Sequence, residues 1–314
     1  MIKREQRWQL VGDILGEGAF GIVWKETLVG GESDVKDRAV KRIRKRIGNS
    51  NAVDYSRELE AIAKFSRGKY KSFFVESYGW FEAQDHVFIT MEYFEHGDLQ
   101  EYINEAGKLP EEDACSISYQ ILEGLKEMHE NGFAHRDLKP SNVLLRRTKD
   151  HEEGWWVKIG DFGISKRAEE GMTALRTIGG TEGFLAPEVL VRKGSLFLEK
   201  AAHTKMLRNE REYTFAVDIW ALGEITYRTI CGSPAFFGDL VAYASERAEF
   251  PTKTLQRLKV SIEGIEFIQG LMKVFPGNRL TASDALHHDW FDELRDSSSR
   301  SSDEFQRYTG CQWP

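Results

Sequence analysis

The first ninety or so residues carry their apolar positions in short runs: WQLVGDIL (8–15), GIVWKETLV (21–29), DRAVKRI (37–43), SFFVESYGWF (72–81) and HVFITMEYF (86–94). These runs are rich in β-branched and aromatic residues, which predicts strands. Among them DYSRELEAIAKF (54–65) repeats its apolar residues three and four apart, the period of a helix. A small sheet with one helix is expected. From about residue 97 the period becomes helical, in GDLQEYINEA (97–106) and then in PEEDACSISYQILEGLKEMHENG (110–132). The latter opens on Pro110 and acidic residues and stops at Asn131 and Gly132, as helix ends do. The most apolar window, FAVDIWALGEITYRTI (215–230), is broken by Asp218, Glu224 and Arg228 and is too short to span a bilayer. It reads as a buried core helix. A helix-rich second part therefore follows the sheet, with MEYFEHGDL (91–99) as the connector. RRTKDHEEGWW (146–156) reads as a polar hairpin tip and RDSSSRSSDEF (295–305) as a disordered tail. No internal repeat is visible.

Composition narrows the picture. A chain of 314 residues that is 41% hydrophobic can bury a real core, as two domains or as one two-lobed unit. Its formal net charge of -7 argues against a general nucleic-acid or anionic-membrane surface. The cluster KRIRKR (41–46) could still bind anions, although such a run is ordinarily just solvated. Cys115, Cys231 and Cys311 have no paired spacing, which fits a reducing compartment and neither a disulfide framework nor a zinc site. MIKREQRWQL has charge without an apolar core, so no secretory signal is expected.

Candidate chemistry begins at DILGEGAFGIVWK, where Gly16, Gly18 and Gly21 would let backbone N–H groups approach phosphate oxygens without Cβ interference. A plain glycine-rich hairpin turn explains the same residues. A dinucleotide fold would need a helix at the third glycine, whereas GIVWKETLV continues as a strand. No Gly-Lys-Ser/Thr follows either, so a bend between two antiparallel strands, folded over a nucleotide, is expected. Lys41 on the third strand and Glu58 on the helix are each ordinary surface charges when taken alone. Together with the glycines they suggest an ammonium fixed by a carboxylate against the α- and β-phosphates, with Glu60 as a competing partner. Glu58 is preferred because it shares a helix face with Ile62, while Ala61 covers the opposite side.

Further on, FAHRDLKPSNVLL (133–145) places Asp137, Lys139 and Asn142 within six residues, and VKIGDFGISK supplies Asp161, with Gly163 to let the chain turn. Asp137 can accept the proton of an attacking hydroxyl, and Lys139 can neutralise a moving phosphoryl group. Asn142 and Asp161 can offer the oxygen ligands that Mg²⁺ takes. Any one of these polar loop residues could be turn chemistry. Their joint occurrence is far more specific.

With HRDLKPSN (135–142), DFG (161–163), APE (186–188), the three glycines and Lys41, the chain resembles the eukaryotic protein kinases over about residues 8 to 292. Lys139 and GGTEGFLAPE resemble the serine/threonine branch, nearest the calmodulin-dependent and checkpoint-kinase-like groups. The resemblance implies an α+β bilobal fold, with a small antiparallel-sheet N-lobe carrying one regulatory helix and a larger, mostly helical C-lobe. It implies an N-terminal extension at 1–7, an N-lobe at 8–91, a hinge at 92–97, a C-lobe at 98–292 and a flexible Ser-rich tail at 293–314. ATP and Mg²⁺ are the implied cofactors. Leu15, Val23, Ala39 and Leu144 become the walls of the adenine slot and Met91 its gatekeeper, while Glu92 and Phe94 offer backbone hydrogen bonds. Asp98 is implied to reach the ribose and a substrate arginine upstream of the acceptor, so a mild upstream-Arg preference is expected. Ser141 replaces a glutamate that would read a second arginine. Asp218 is implied to anchor the catalytic loop and Arg279 to pair with Glu188, both as structural roles. Thr181 matches the substrate-loop threonine. Thr177 matches an activating phosphorylation site, with Arg136 and Lys166 as the cations that would receive the phosphate.

Four departures stand out. RRTKDHEEG stretches the span from Asp137 to Asp161, and RKGSLFLEKAAHTKMLRNE the span from Glu188 to Asp218. Ser77 stands where relatives carry an apolar residue of the regulatory spine, and Gly160 precedes the DFG. The expected protein is an intracellular monomer or transient dimer, cytoplasmic or nuclear or both, acting on a protein Ser or Thr hydroxyl. The competing expectation, from a different class, is a pseudokinase scaffold gated by nucleotide binding.

Overall fold

The computed structural model describes residues 6–18, 21–45, 56–66, 68–147, 154–162, 166–167, 180–194 and 212–295. Five strands, β1 (Arg7–Gly18), β2 (Gly21–Gly30), β3 (Asp37–Arg44), β4 (Ser77–Glu82) and β5 (His86–Glu92), form one antiparallel sheet in the order β1-β2-β3-β5-β4. Directly opposed residues of antiparallel strands share a face. The register therefore sets Val23, Lys41 and Ile89 in one row and Ala39 and Met91 in the next. Helix α1 (Ser56–Phe65) buries Ala61, Ile62 and Phe65. Ala61, expected opposite Ile62, is thus on the buried side with it, because consecutive helical residues lie only about 100° apart.

The fourth strand begins later than its apolar run suggests. Phe74 pairs only through a lone bridge to Ile159, and its fully buried ring lies 5.2 Å from Phe65 and 5.6 Å from Phe162. Burying that ring between the two lobes outweighs extending β4 to residue 72.

The second lobe contains α2 (Leu99–Ala106), α3 (Glu111–Glu130), α4 (Pro187–Lys193), α5 (Glu212–Cys231), α6 (Leu240–Ala244), α7 (Lys253–Arg257), α8 (Ile262–Leu271) and α9 (Ala282–Ala285). Two small antiparallel pairs lie on it. One joins β6 (Phe133–Ala134) to β9 (Lys166–Arg167), and the other joins β7 (Val143–Arg147) to β8 (Trp155–Ile159) as the expected hairpin. The tip of that hairpin, like the 195–211 insertion, lies outside the described residues. α3 buries Ile117, Ile121, Leu125 and Met128 at helical spacing against Ile219, Leu222 and Ile225 of α5 in a common core, and Ser118 shares a 2.8 Å hydrogen bond with Thr226 across it. Among the described residues no helix is long and apolar enough to cross a membrane. The architecture is the α+β, two-lobed one expected.

Candidate active site

A cleft of about 240 Å³ separates the sheet from the helical lobe. Leu15, Gly16 and Val23 line it from the β1–β2 hairpin, whose closing pair is Gly18 and Gly21. Gly21 has φ +136°, and a Cβ there would fall 2.0 Å from the Arg42 carbonyl oxygen, so no other residue fits without moving β3. Ala39, Met91 and Leu144 supply apolar walls, and Glu92, Phe94 and Asp98 line the connector side. At the deep end stand Lys41, Asn142 and Asp161. Gly160 carries its departure in packing: a Cβ would meet Leu144 at 3.0 Å and Val75 at 3.1 Å, both of which also line the cleft. Ser77 is buried there too, donating to the Thr90 carbonyl at 3.2 Å.

The connector carries chemistry that sequence reasoning missed. Glu92 was expected to contribute only backbone, yet its buried carboxylate pairs with Lys158 of β8 and accepts the Glu76 N–H at 2.7 Å. Arg146 of β7 lies 3.7 Å from the same carboxylate, donates to the Tyr93 carbonyl at 3.1 Å, and sits 4.7 Å over the Phe94 ring. Burial pushes the Lys158 ammonium below its ordinary range, and the bond to Glu92 pulls it back. A lysine three residues before Asp161 was the only sequence signal, and no local pattern ties it to Glu92.

Asp98 proves to be the N-cap of α2. Its Oδ1 accepts the Glu101 N–H at 2.9 Å, and Glu101 answers with a side-chain bond to the Asp98 N–H. Burial raises its carboxyl, with the Glu101 N–H opposing. Asp98→Ala is expected to cost about 1 kcal/mol in urea unfolding through the lost cap.

Asp137, Lys139 and Thr181 form a closed triangle. Lys139 Nζ lies 3.0 Å from Asp137 Oδ2 and donates to Thr181 Oγ1 at 2.8 Å, while the Thr181 hydroxyl donates to Asp137 Oδ1 at 2.8 Å. Asn142 follows in a 3₁₀ turn, Pro140–Asn142, and its Nδ2 donates to the Asp137 carbonyl at 2.7 Å. Beneath the loop the fully buried Asp218 accepts the His135 N–H at 2.8 Å, the Arg136 N–H at 2.7 Å and a contact from His129 Nε2 at 2.9 Å. Burial alone would raise its carboxyl. His129, His135 and the Arg136 N–H outweigh that and hold it below the usual range. Arg136 and Asp161 both occupy positive φ, 69° and 58°, backbone strain of the kind that collects at functional sites.

Lys41 Nζ lies 2.7 Å from Asp161 Oδ1. Glu58 sits on α1 as expected, but its side chain, the side chain of Lys166, Gly163 and Thr177 lie outside the described residues. Glu60, the competitor for Lys41, is exposed. Glu188 and Arg279 meet as expected, through paired 2.6 and 2.7 Å bonds.

A sheet lobe closing a cleft over a polar loop of this kind defines a protein kinase domain. The model of the protein kinase domain family matches residues 10–291, and the chain belongs to that family. It is similar to the serine/threonine-protein kinase RAD53 of Saccharomyces cerevisiae, 32% identical over 290 residues, covering 90% of this chain and 33% of that protein. It is also similar to the serine/threonine-protein kinase cds1 of Schizosaccharomyces pombe, 32% identical, covering 93% of this chain and 60% of the relative. Calcium/calmodulin-dependent protein kinase type 1 of Caenorhabditis elegans is 32% identical, covering 88% of this chain and 72% of the relative. The chain thus spans less than two thirds of the first two relatives. Among solved structures, Rad53 1-466 in complex with AMP-PNP superposes with TM-score 0.67 at 30% identity, covering 90% of this chain and 65% of that one. The checkpoint-kinase and calmodulin-dependent resemblance of the sequence is borne out.

Proposed function

We propose that this chain is an ATP-dependent serine/threonine protein kinase that transfers the γ-phosphoryl group to a protein hydroxyl. The observation that carries the reading is the Asp137–Lys139–Thr181 triangle beside the cleft that ends in Lys41 and Asp161. Asp137 acts as the base for the acceptor hydroxyl, and Lys139 meets the charge that develops on the transferring group. Thr181, held between the two, marks where the acceptor segment docks. Lys41, with Glu58 as its proposed carboxylate partner, orients the α- and β-phosphates. Nucleotide binding fits the apolar walls, and the Rad53 complex with AMP-PNP supports it.

Asn142 and Asp161 suit Mg²⁺: the Asn142 amide nitrogen is spent on the Asp137 carbonyl, which leaves its oxygen, and Asp161 adds a carboxylate. A hard cation takes such oxygens together with phosphate and water, and it would neutralise charge between the β- and γ-phosphates. We take residues 8–292 as the kinase unit, divided at 92–97. The compartment is intracellular in this reading, and the acidic Asp98 confers a mild preference for upstream arginine.

The test is phosphate transfer from γ-labelled ATP to a basic protein, alongside Asp137→Asn. Transfer by the parent and its loss in the variant support the reading. Tight ATP binding without any transfer would make the chain a scaffold instead.

Phosphorylation of Thr177 is the proposed switch, with Arg136 and Lys166 receiving the phosphate. A phosphate adds about -1.5 to -2 charge and three acceptor oxygens, enough to order a loop through one to three charge-assisted bonds. Thr177→Ala is expected to lower kcat/KM roughly 5–150-fold, the usual size of such coupling. Full activity in that variant and in Arg136→Ala would remove the switch.

A further inference from the structure

The substrate-side segment 180–186 rests on a charged pair that kinase chemistry does not itself require. Arg228 of α5 bonds Glu224 one turn earlier at 2.6 Å, donates through Nη2 to the Gly183 carbonyl at 3.0 Å, and lies 4.2 Å over the Phe184 ring. Gly183 is fitted to it. Its φ is +93°, and a Cβ would stand 2.9 Å from Arg228 Nη2. Glu224 is buried and also accepts the Ala235 N–H at 3.3 Å, so the pair ties three segments together. Two residues from Gly183, Thr181 makes its bonds to Asp137 and Lys139, and the Phe184 N–H closes the turn onto the Thr181 carbonyl at 3.2 Å.

We propose that Arg228, held by Glu224, is a positioning residue for the protein substrate: it fixes segment 180–186 so that Thr181 reaches Asp137 and Lys139. The inference rests on the kinase reading above and adds a residue that touches neither nucleotide nor acceptor. A planar guanidinium can stack on Phe184, bond a carbonyl and pair with a carboxylate at once, which an ammonium cannot. Burial lifts the Glu224 carboxyl to about 7, against the pull of Arg228 and the Ala235 N–H. Near that carboxyl lie Arg228, Tyr227 and Cys231 of its own helix and the Ala235 N–H from the loop that follows.

The experiment compares parent, Arg228→Met and Arg228→Lys by steady-state kinetics and by amide hydrogen exchange of residues 180–186. For Arg228→Met the proposal expects KM for the protein substrate to rise about tenfold with KM for ATP unchanged, and faster exchange confined to 180–186. Arg228→Lys should fall between, and Gly183→Ala should reproduce the effect with Arg228 intact. Unchanged exchange and unchanged substrate KM in Arg228→Met overturn the proposal, as does an equal rise in the KM for ATP. If the parent transfers no phosphate, the kinase reading fails, and slow exchange in Arg228→Met would then overturn the tie as well.

Discussion

Asp137→Asn is expected to lower kcat about 10²–10⁴-fold, some 3–5 kcal/mol of barrier, while KM for ATP moves less than about twofold. The split follows from where the residue stands. Asp137 is buried at the mouth of the loop and bonds Lys139 and Thr181, but it is not among the residues lining the nucleotide cleft. An amide has nearly the shape of the carboxylate and still accepts one hydrogen bond, so fold and nucleotide site should survive. It cannot take up the acceptor proton. Steady-state transfer from labelled ATP, with nucleotide affinity from fluorescence titration, separates the two quantities. A kcat within tenfold of the parent would assign the base elsewhere.

Arg279→Met is expected to cost about 3–5 kcal/mol of stability, the largest effect on the fold. Arg279 spends its five N–H groups on Glu188 through both Nη atoms and on the carbonyls of Ala216, Val274 and Lys273. The Arg279 and Glu188 side chains are fully buried, so removing the guanidinium strands a carboxylate with no water to receive it. Denaturant midpoints measure the loss. The double variant Glu188→Gln with Arg279→Met should recover part of it, because the stranded charge is gone. Arg279→Lys should recover less than the paired fork supplied, since one ammonium cannot replace two parallel bonds. A single-variant loss below about 1 kcal/mol would show that this corner of the lobe opens to water.

The strands and long helices were legible because each follows a period the side chains themselves carry. Val23, Ala39 and Met91 fell on the cleft face for that reason. The motif residues were legible as a constellation, since Asp137, Lys139 and Asn142 lie within six positions of one another. Contacts across long separations were not. Nothing near Lys41 points to Asp161, 120 residues on, and nothing near Glu92 points to Lys158. The early end of the fourth apolar run was hidden for the same reason, because Phe74 follows a core built from distant rings. Asp98 was assigned by resemblance to ligand recognition, while the helix-capping signal in Asp98 and Glu101, three residues apart, stood in the sequence unread.

The ties from Arg146 and Lys158 to the connector have a consequence for how a nucleotide would be captured. Glu92, Tyr93 and Phe94 are each gripped by β7 or β8, and Gly97 accepts the Leu145 N–H at 3.0 Å, so the edge proposed to meet the base is tied to the helical lobe. The glycine hairpin, by contrast, joins the rest of the lobe through the pairing of β2 with β3. Association should therefore occur in two unequal stages. The base lands on an edge that is already ordered and loses little conformational entropy there, whereas closure over the phosphates carries most of the ordering cost. Adenosine and ATP should then differ far less in association rate than in residence time, and loosening the connector at Arg146 should slow capture of both alike.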